Sequence, residues 1–541
     1  MESKPWLNHY DPGVPAHLEY PRVNAFYFLD EAARKHPDGA CTLFKGVAIT
    51  FQEMAALTDR LAAALVANGL RRGERVGLLL PNTPQFVLTF YAALKAGGVA
   101  VAINPQYRPR EILYQVNDAG VRWLFSLDDY DAALDTILPQ TGIRQVITTN
   151  LDDFVSGQRS HAKVPPGRLR LLDWLTSAPE ARLEKTVSAD DLAIFQYTGG
   201  TTGVPKGAIG LHRNLVANTL QVRSWLVNAG EGRERVLMAI PMFHVYGLVL
   251  GMSQALALMS PLVLVHNPRD LPNLLANIQR HRPTLFPGVP TLFNAINAFP
   301  EVQNYDLHSL KVCISGSAPL MAVTKARFET LTGGRVCEGY GLSEAPTATH
   351  CNPVMGENRP GSIGLPWPDV DCRIVSLEDG EGDVTIGEAG ELLVRGPQVM
   401  QGYHNMPGET AATLRGGWLH TGDIARMDAD GYFYIVDRKK ELIKVGGYQV
   451  WPREVEDVIA AHPKVFEVAA AGLPDAYHGE TVKAWVVLKP GQTSSEEEIQ
   501  AWCREYLAPF KVPTRVEFRE QLPKSAVGKI LRRELVREEQ E

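Results

Sequence analysis

Short apolar runs alternate with amphipathic segments over about the first 360 residues. From Arg75 the apolar run RVGLLL is followed by the helix-like segment PQFVLTFYAALKAGG and then by the apolar run VAVAIN. The same alternation returns around RVLMAIP, PLVLVHN, PTLFPGVP and KVCISGSAP. Such spacing is typical of βαβ units, whose parallel sheet is covered by helices on both faces. The pattern predicts an α/β lobe, with parallel α/β subdomains to about residue 365.

The pattern of apolar and polar residues changes twice beyond that point. Between about residues 366 and 437 short strands are separated by glycine turns, as in CRIVSLEDGEGD and GYFYIVD, which predicts a small β-rich subdomain. From Lys439 helical and strand patterns alternate again, in a compact α+β unit of about 100 residues by the usual domain-size rule. We therefore predict an N-terminal domain over residues 1–437 and a C-terminal domain over residues 438–541.

Composition and charge favour an ordinary soluble enzyme. The 541 residues carry a net charge of -7, with 21% charged and 45% hydrophobic residues, so a general nucleic-acid binder is not indicated. The six cysteines form no CxxC pair, so neither a zinc site nor a disulfide framework is predicted. Because the first twenty residues lack the apolar core of a secretory signal, we expect a cytoplasmic protein.

One uncharged segment raises the question of a membrane. Residues 247–265, GLVLGMSQALALMSPLVLV, approach the length that spans a bilayer. Ser253, Gln254, Ser260 and Pro261 interrupt the segment, however, and divide it into a buried helix ending near Met259 and a short strand. We expect no transmembrane segment, while peripheral contact at the inner membrane face and oligomerisation stay open.

The stretch FQYTGGTTGVPKGAIG, residues 195–210, has the composition of a phosphate-binding loop. Glycines allow the backbone to fold its N–H groups around an anion, and three threonine hydroxyls and Lys206 add donors and charge. The spacing is not that of a P-loop, because Lys206 is followed by Gly207. Taken alone, the stretch is also compatible with a glycine-rich surface turn.

Four other segments carry candidate chemistry. SGSAPL (315–320) and EGYGLSE (338–344) each follow an apolar run, which places glycine turns at the carboxyl ends of strands, where α/β sheets bind ligands. Such turns make pockets for flat rings. LHTGDIARMDADGYFYIVDRKKELIKVGGYQV (419–450) and LPKSAVGKILRREL (522–535) gather acids, arginines and lysines around glycines. Each of the four, by itself, is also compatible with a solvated surface element.

In order and spacing, these segments together resemble the adenylate-forming superfamily of acyl-CoA synthetases, luciferases and peptide-synthetase adenylation modules. The resemblance runs from about Trp6 to Leu535 and is strongest to bacterial medium- to long-chain fatty acyl-CoA synthetases. It implies an AMP-forming acid–thiol ligase: a fatty carboxylate attacks the α-phosphorus of ATP, and the CoA thiol then displaces AMP. ATP, Mg²⁺ and CoA are the implied cofactors and co-substrates.

The resemblance also assigns roles. The loop from Thr198 to Lys206 would hold the β- and γ-phosphates, Glu344 would bind Mg²⁺, and Tyr340 would stack on adenine. Asp423 would hold the ribose with help from Arg438. The residues assigned to nucleotide and CoA binding are Thr198, Gly199, Gly200, Thr201, Thr202, Lys206, Ser317, Ala318, Glu338, Gly339, Tyr340, Gly341, Ser343, Asp423, Arg438, Lys444, Gly446 and Gly447.

Three residues are assigned to catalysis by the same resemblance. Lys529 occupies the position of the adenylation lysine, and Lys440 that of a hinge about which the mobile C-terminal domain rotates between the two steps. His244 lies where amino-acid-activating relatives have an aspartate, so it would stand beside the carboxylate instead; a packed histidine at a helix start is the alternative. Gly199 and Ser343 replace a serine and a threonine that many members carry, which we interpret as subgroup variation.

The substrate is expected to be an alkyl acid. An acid that would pair with an α-ammonium is absent at position 244, and an unpaired ammonium is costly to desolvate. The segments GLVLGMSQALALM and FPGVPTLFNAINAF are mainly apolar, which suits an alkyl or aryl tail. No carrier domain follows the last motif, so free CoA is the expected acceptor. Oxygenase activity of the luciferase kind and a catalytically silent binding protein are the alternatives.

Overall fold

A computed structural model of the chain describes residues 4–155, 164–177, 183, 187–198, 205–439, 441–446, 448–475, 477, 479–525 and 528–539. Contacts divide the chain into two compact units. The larger unit comprises Leu7–Asp371 and Arg395–Leu419, and the smaller unit comprises Met1–Trp6, Cys372–Val394 and His420–Glu541. The predicted boundary between residues 437 and 438 stays a prediction.

Helices and strands alternate along the described residues, as the apolar pattern predicts. The helices are α1 Tyr27–Lys35, α2 Phe51–Ala67, α3 Pro84–Lys95, α4 Pro109–Ala119, α5 Asp131–Ile137, α6 Leu171–Ser177, α7 His212–Trp225, α8 Gln254–Ala257, α9 Leu271–His281, α10 Pro290–Ala298, α11 Ala322–Thr332, α12 Pro407–Thr413, α13 Pro452–Ala460, α14 Glu496–Tyr506 and α15 Arg532–Glu538. The strands are β1 Ala40–Phe44, β2 Val47–Thr50, β3 Arg75–Leu79, β4 Val99–Ala102, β5 Val121–Leu127, β6 Gln145–Thr149, β7 Leu169–Arg170, β8 Leu192–Thr198, β9 Lys206–Leu211, β10 Val236–Met238, β11 Leu262–Leu264, β12 Leu285–Gly288, β13 Val312–Ser315, β14 Arg335–Tyr340, β15 His350–Cys351, β16 Leu365–Pro366, β17 Asp371–Val375, β18 Gly390–Arg395, β19 Gly402–Tyr403, β20 Leu414–Arg415, β21 Trp418–Met427, β22 Phe433–Arg438, β23 Ile443–Val445, β24 Tyr448–Val450, β25 Val465–Asp475, β26 Gly479–Leu488 and β27 Arg515–Phe518.

The larger unit contains two mostly parallel sheets. Among the described residues one sheet has the order β16-β15-β14-β13-β12-β10-β11-β1-β2, and the other has the order β19-β9-β8-β4-β3-β5-β6-β7. Helix α3 is buried along its whole length, and β3 and β4 are nearly continuous apolar runs, which is the pattern of strands covered on both faces. The rings of Phe286, Phe293 and Phe328 pack together against the first sheet, with centroids 4.8 to 6.3 Å apart. The predicted α/β class is confirmed.

The uncharged segment 247–265 lies in the interior of the larger unit. Its first part is not an ordinary α-helix, because a π-helix spans Tyr246–Ser253 before α8 begins. A Cβ on Gly247 would lie 2.2 Å from the carbonyl oxygen of Pro241, and one on Gly251 would lie 2.4 Å from the sulfur of Met238. The backbone contact requires glycine at position 247, whereas a larger residue at position 251 would require the Met238 side chain to move. No helix in the described ranges is both long and apolar enough to cross a bilayer.

The smaller unit is built from β-rich and α+β parts. In the first part β17, β18 and β21 are neighbours in one sheet and β22 pairs antiparallel with β21, while Trp6 packs edge-on against Phe433. In the second part β24-β23-β26-β25 form a sheet to which β27 adds on β26, with α13 and α14 packed nearby. Ser495 caps helix α14, because its hydroxyl accepts a hydrogen bond from the Glu498 backbone N–H.

Candidate functional site

Two paired strands flank the glycine-rich stretch. Strands β8 and β9 pair antiparallel, and Thr198 faces Lys206 across the last rung. The predicted phosphate-binding residues between them, Gly199, Gly200, Thr201 and Thr202, lie outside the described residues. The hairpin therefore presents one hydroxyl and one ammonium at the two ends of the loop.

Helix α4 is tied to both ends of this hairpin. The Tyr114 hydroxyl donates to the Pro205 carbonyl at 3.0 Å, and the Tyr197 hydroxyl donates to a carboxylate oxygen of Asp118 at 2.5 Å. Tyr114 and Asp118 are four residues apart on one helix, so they lie on the same face. One rigid element thus positions the backbone before Thr198 and before Lys206.

The turn after β13 has the strained geometry of a ligand-binding turn. Ser317 has a φ of 71° and an exposed side chain, and Ala318 is half-buried. A Cβ on Gly316 would approach the ring of Tyr246 to 3.2 Å, and the Tyr246 hydroxyl donates to the carbonyls of Gly288 and Ile314. The left-handed Ser317 costs energy that the surrounding packing has to supply.

The second turn begins later than the motif suggests, because β14 continues through Tyr340. The Tyr340 ring is half-buried and meets the buried His350 ring edge-on, with centroids 5.9 Å apart. A Cβ on Gly341 would lie 1.7 Å from the carbonyl oxygen of Thr347, and one on Gly339 would lie 3.2 Å from that of His350. The glycines therefore allow the chain to turn tightly beside a fixed aromatic ring.

Glu338 is used inside the fold. One of its carboxylate oxygens accepts a hydrogen bond from the Gly361 backbone N–H at 3.0 Å, and the other accepts one from the Leu320 N–H at 3.3 Å. The residue is 7% exposed. Its side chain thus ties the turn after β13 to the turn after residue 360.

Glu344 carries the carboxylate predicted to bind Mg²⁺. Its Oε1 accepts a hydrogen bond from the Tyr403 hydroxyl at 2.6 Å, and its carbonyl accepts one from the Met400 N–H at 2.8 Å. No cluster of three or more His, Cys, Asp or Glu side chains within the described ranges could hold a metal ion. A single half-buried carboxylate still fits Mg²⁺, which is usually held by one or two carboxylates together with substrate phosphates.

Two contacts hold the Lys206 ammonium, one of them with the ring of Tyr403, which also bonds Glu344. Its Nζ lies 2.5 Å from a carboxylate oxygen of Glu409 and 5.3 Å from the centroid of the Tyr403 ring. Glu409 and Tyr403 follow the motif region by many residues, and no spacing rule connects them to Lys206. Sequence reasoning missed Tyr403, Glu409, Tyr114 and Asp118 for this reason.

His244 is neutral in this structure. Burial lowers the pKa of the imidazole to about 4. Its Nδ1 is enclosed and has no hydrogen-bond partner in the described part of the chain. The π-helix begins two residues later, at Tyr246, and its side chains are buried.

In the smaller unit, Asp423 and Arg438 are cross-strand neighbours on β21 and β22. The Arg438 Nε lies 3.1 Å from Asp423 Oδ1, and Asp423 is 4% exposed. The next residue, Lys439, pairs through Nζ with Glu391 at 2.9 Å. The structure thus brings together the two residues predicted to hold the ribose.

Lys529 belongs to the same unit and shares its electrostatic environment. Burial, followed by the positive charge of Arg438, lowers the pKa of the ammonium to about 8, while Glu441 and Asp423 act in the opposite direction. The Lys529 backbone N–H donates to the Ser525 hydroxyl at 3.1 Å. Lys444 is exposed on β23, and Gly446 has a φ of 57° in the turn that follows. Lys440 and Gly447 lie outside the described residues.

Comparison with known proteins agrees with this arrangement. A family described as AMP-binding enzyme matches residues 29–404, and its C-terminal domain matches residues 454–529. A long-chain-fatty-acid–CoA ligase of Bacillus subtilis (strain 168) is 44% identical, over 100% of this chain and 99% of the relative. One from Salmonella typhimurium is 39% identical over 98% of each chain. The crystal structure of an anthranilate CoA ligase in complex with anthranoyl-AMP superposes with a TM-score of 0.86 at 29% identity, covering 96% of this chain and 97% of the other. With these matches over nearly its whole length, the chain belongs to the AMP-binding enzyme family, within the adenylate-forming superfamily.

Proposed function

We propose that the protein is an ATP-dependent fatty acyl-CoA synthetase that acts on medium- to long-chain acids. The observation that carries the proposal is the full-length similarity to long-chain-fatty-acid–CoA ligases, and the uncharged segment after His244 is in keeping with it. The enzyme forms an acyl-adenylate and pyrophosphate from the acid and ATP, and then a thioester and AMP from the acyl-adenylate and CoA.

In the first step a carboxylate oxygen attacks the α-phosphorus of ATP and the bond to pyrophosphate breaks. The hydroxyl of Thr198 and the ammonium of Lys206 hold the terminal phosphates, where positive charge and donors stabilise the leaving pyrophosphate. Lys206 exchanges its ion pair with Glu409 for the phosphates. Glu344 holds Mg²⁺, which neutralises phosphate charge when it is bound.

Nucleoside binding is assigned to residues in each of the two units. In the larger unit Tyr340 is assigned to stacking on adenine, with Ser317 and Ala318. In the smaller unit the buried carboxylate of Asp423 is assigned to the ribose hydroxyls, with Arg438 beside it. Lys529 supplies a cation to the carboxylate and the α-phosphate. These roles are our proposal, and they are supported by the burial and pairing of each side chain.

In the second step the CoA thiolate attacks the acyl carbon, and AMP leaves with the electrons of the anhydride bond. We assign Gly446 and Gly447 to the approach of the pantetheine arm, since glycines leave room beside the backbone. Lys440 is assigned to the hinge that clears Lys529 from the site between the steps.

The apolar segment after His244 suits an alkyl tail better than a polar substrate. The π-helix and α8 follow shortly after His244, and most of their side chains are buried and apolar, including Leu248, Val249, Met252 and Ala255. Among the nine residues after Tyr246, Ser253 and Gln254 have polar side chains. The neutral His244 keeps unpaired charge out of this region. Because long alkyl acids partition into bilayers, we also propose peripheral contact of a cytoplasmic enzyme with the inner membrane face, which co-sedimentation with lipid vesicles tests.

A substrate panel tests the function. Purified protein is incubated with ATP, Mg²⁺, CoA and straight-chain acids from two to twenty carbons or aromatic acids, and AMP release is measured. We expect the highest kcat/KM for medium to long alkyl chains and no AMP release without CoA beyond one turnover. Far better turnover of an aromatic acid would overturn the substrate class, and absence of AMP with every acid would overturn the activity.

A further inference from the structure

Tyr403 lies between the two charged groups of the predicted phosphate site. Its backbone pairs with Ala208 on β9, and its N–H donates to the Thr410 hydroxyl at 2.9 Å. The residue is 9% exposed. Two backbone anchors and this burial fix where the ring and the hydroxyl point.

The Tyr403 hydroxyl is the donor in a short hydrogen bond to Glu344. The distance to Glu344 Oε1 is 2.6 Å, which is typical of a hydroxyl bonded to an ionised carboxylate. A carboxylate only accepts, so the tyrosine has to remain protonated.

The Tyr403 ring faces the ammonium of Lys206. The Nζ lies 5.3 Å from the ring centroid, within the range of a cation–π interaction, and the same Nζ pairs with Glu409. An ion pair between Lys206 and Glu344 would neutralise both charges. The ammonium would then no longer serve the phosphates, and the carboxylate would no longer serve Mg²⁺. The aromatic ring occupies the space between them.

We propose that Tyr403 is a positioning residue of the nucleotide site: its hydroxyl orients the Glu344 carboxylate for Mg²⁺, and its ring keeps the Lys206 ammonium from pairing with that carboxylate. The inference rests on the proposed function for the identity of the nucleotide. Tyr403 touches neither substrate nor metal in this scheme, because it acts through Glu344 and Lys206.

Two substitutions separate the two roles. Tyr403→Phe removes the hydroxyl and keeps the ring and its packing against Ala208 and Met400. It should weaken binding of the magnesium complex of ATP and leave metal-free ATP almost unchanged. Tyr403→Leu also removes the ring and should weaken both, because Lys206 is then free to pair with Glu344.

The experiment is calorimetric titration with α,β-methylene-ATP, which cannot be adenylated, in Mg²⁺ or in EDTA. For Tyr403→Phe we expect Kd in Mg²⁺ to rise about 5- to 20-fold, as for loss of a charged hydrogen bond, and Kd in EDTA to change less than about twofold. In a Glu344→Gln background the same substitution should have no further effect on Kd in Mg²⁺.

Tyr20→Phe is the matched control. It removes another tyrosine hydroxyl bonded to a carboxylate in the larger unit, that of Asp369 at 2.9 Å, and it should leave both Kd values unchanged. Equal weakening of Tyr403→Phe with and without Mg²⁺, no weakening at all, or an undiminished effect in the Glu344→Gln background would overturn the inference. Failure of the proposed function appears separately, as wild-type protein that releases no AMP with any acid of the substrate panel.

Discussion

The adenylation half-reaction should slow as the pH rises above about 8, because Lys529 then loses its proton. Burial and the neighbouring Arg438 lower the pKa of Lys529 to about 8. The proposed role needs the cation, since it stabilises the negative charge of the carboxylate and the α-phosphate as they meet. With that pKa about three quarters of the lysine is protonated at pH 7.5 and about one tenth at pH 9, so the rate should fall about eightfold.

The two half-reactions have to be measured apart. ATP–pyrophosphate exchange with a saturating fatty acid, from pH 6.5 to 9.5, reports adenylation. Thioester formation from supplied acyl-adenylate and CoA reports the second step, and it should rise over the same range because the CoA thiol ionises near the ordinary thiol pKa of about 8.5. Opposite pH trends for the two steps are the expected result.

Lys529→Arg and Lys529→Ala complete the test. A guanidinium stays charged throughout this range, so Lys529→Arg should show no decline in exchange above pH 8, whatever its absolute rate. Lys529→Ala should lose exchange and keep thioester formation from supplied acyl-adenylate. A wild-type exchange rate that is constant to pH 9.5, or the same decline in Lys529→Arg, would refute the reasoning.

Three further substitutions test other parts of the proposal. Asp423→Ala removes a buried ribose-binding carboxylate and should lower pyrophosphate exchange roughly 30- to 1000-fold, and a near-normal exchange rate would remove Asp423 from the site. Tyr114→Phe releases the Pro205 carbonyl, so steady-state kinetics should show KM for ATP raised about threefold with kcat preserved, as loss of one neutral hydrogen bond suggests; an unchanged KM would contradict positioning by α4. Lys440→Pro fixes φ at the proposed hinge and should slow thioester formation from supplied acyl-adenylate more than pyrophosphate exchange, whereas equal losses in both assays would count against a hinge there.

Local pattern was sufficient for the fold class and for most of the individual turns. The apolar runs RVGLLL and VAVAIN became β3 and β4 because a run that is buried on both faces has few other stable arrangements. Glycine turns after the apolar runs were also predictable, and at Gly341 the structure gives the physical reason, since a backbone approach of 1.7 Å excludes any Cβ. Helix type was not predictable in the segment after His244, because the sequence pattern predicts only a buried helix and the structure has a π-helix there.

The sequence by itself therefore determined the α/β class, the order of the motifs and the residues that carry charge, since these depend on spacing along the chain and on the chemistry of each side chain. Only the tertiary structure decided how those charges are held. Tyr403 meets Glu344 across 59 positions of the chain, and Glu409 meets Lys206 across 203. The structure also commits Glu338 to backbone hydrogen bonds and encloses Lys529 enough to lower its pKa. Hydrogen bonding and desolvation depend on neighbours that folding brings together, and no local pattern of residues encodes those neighbours.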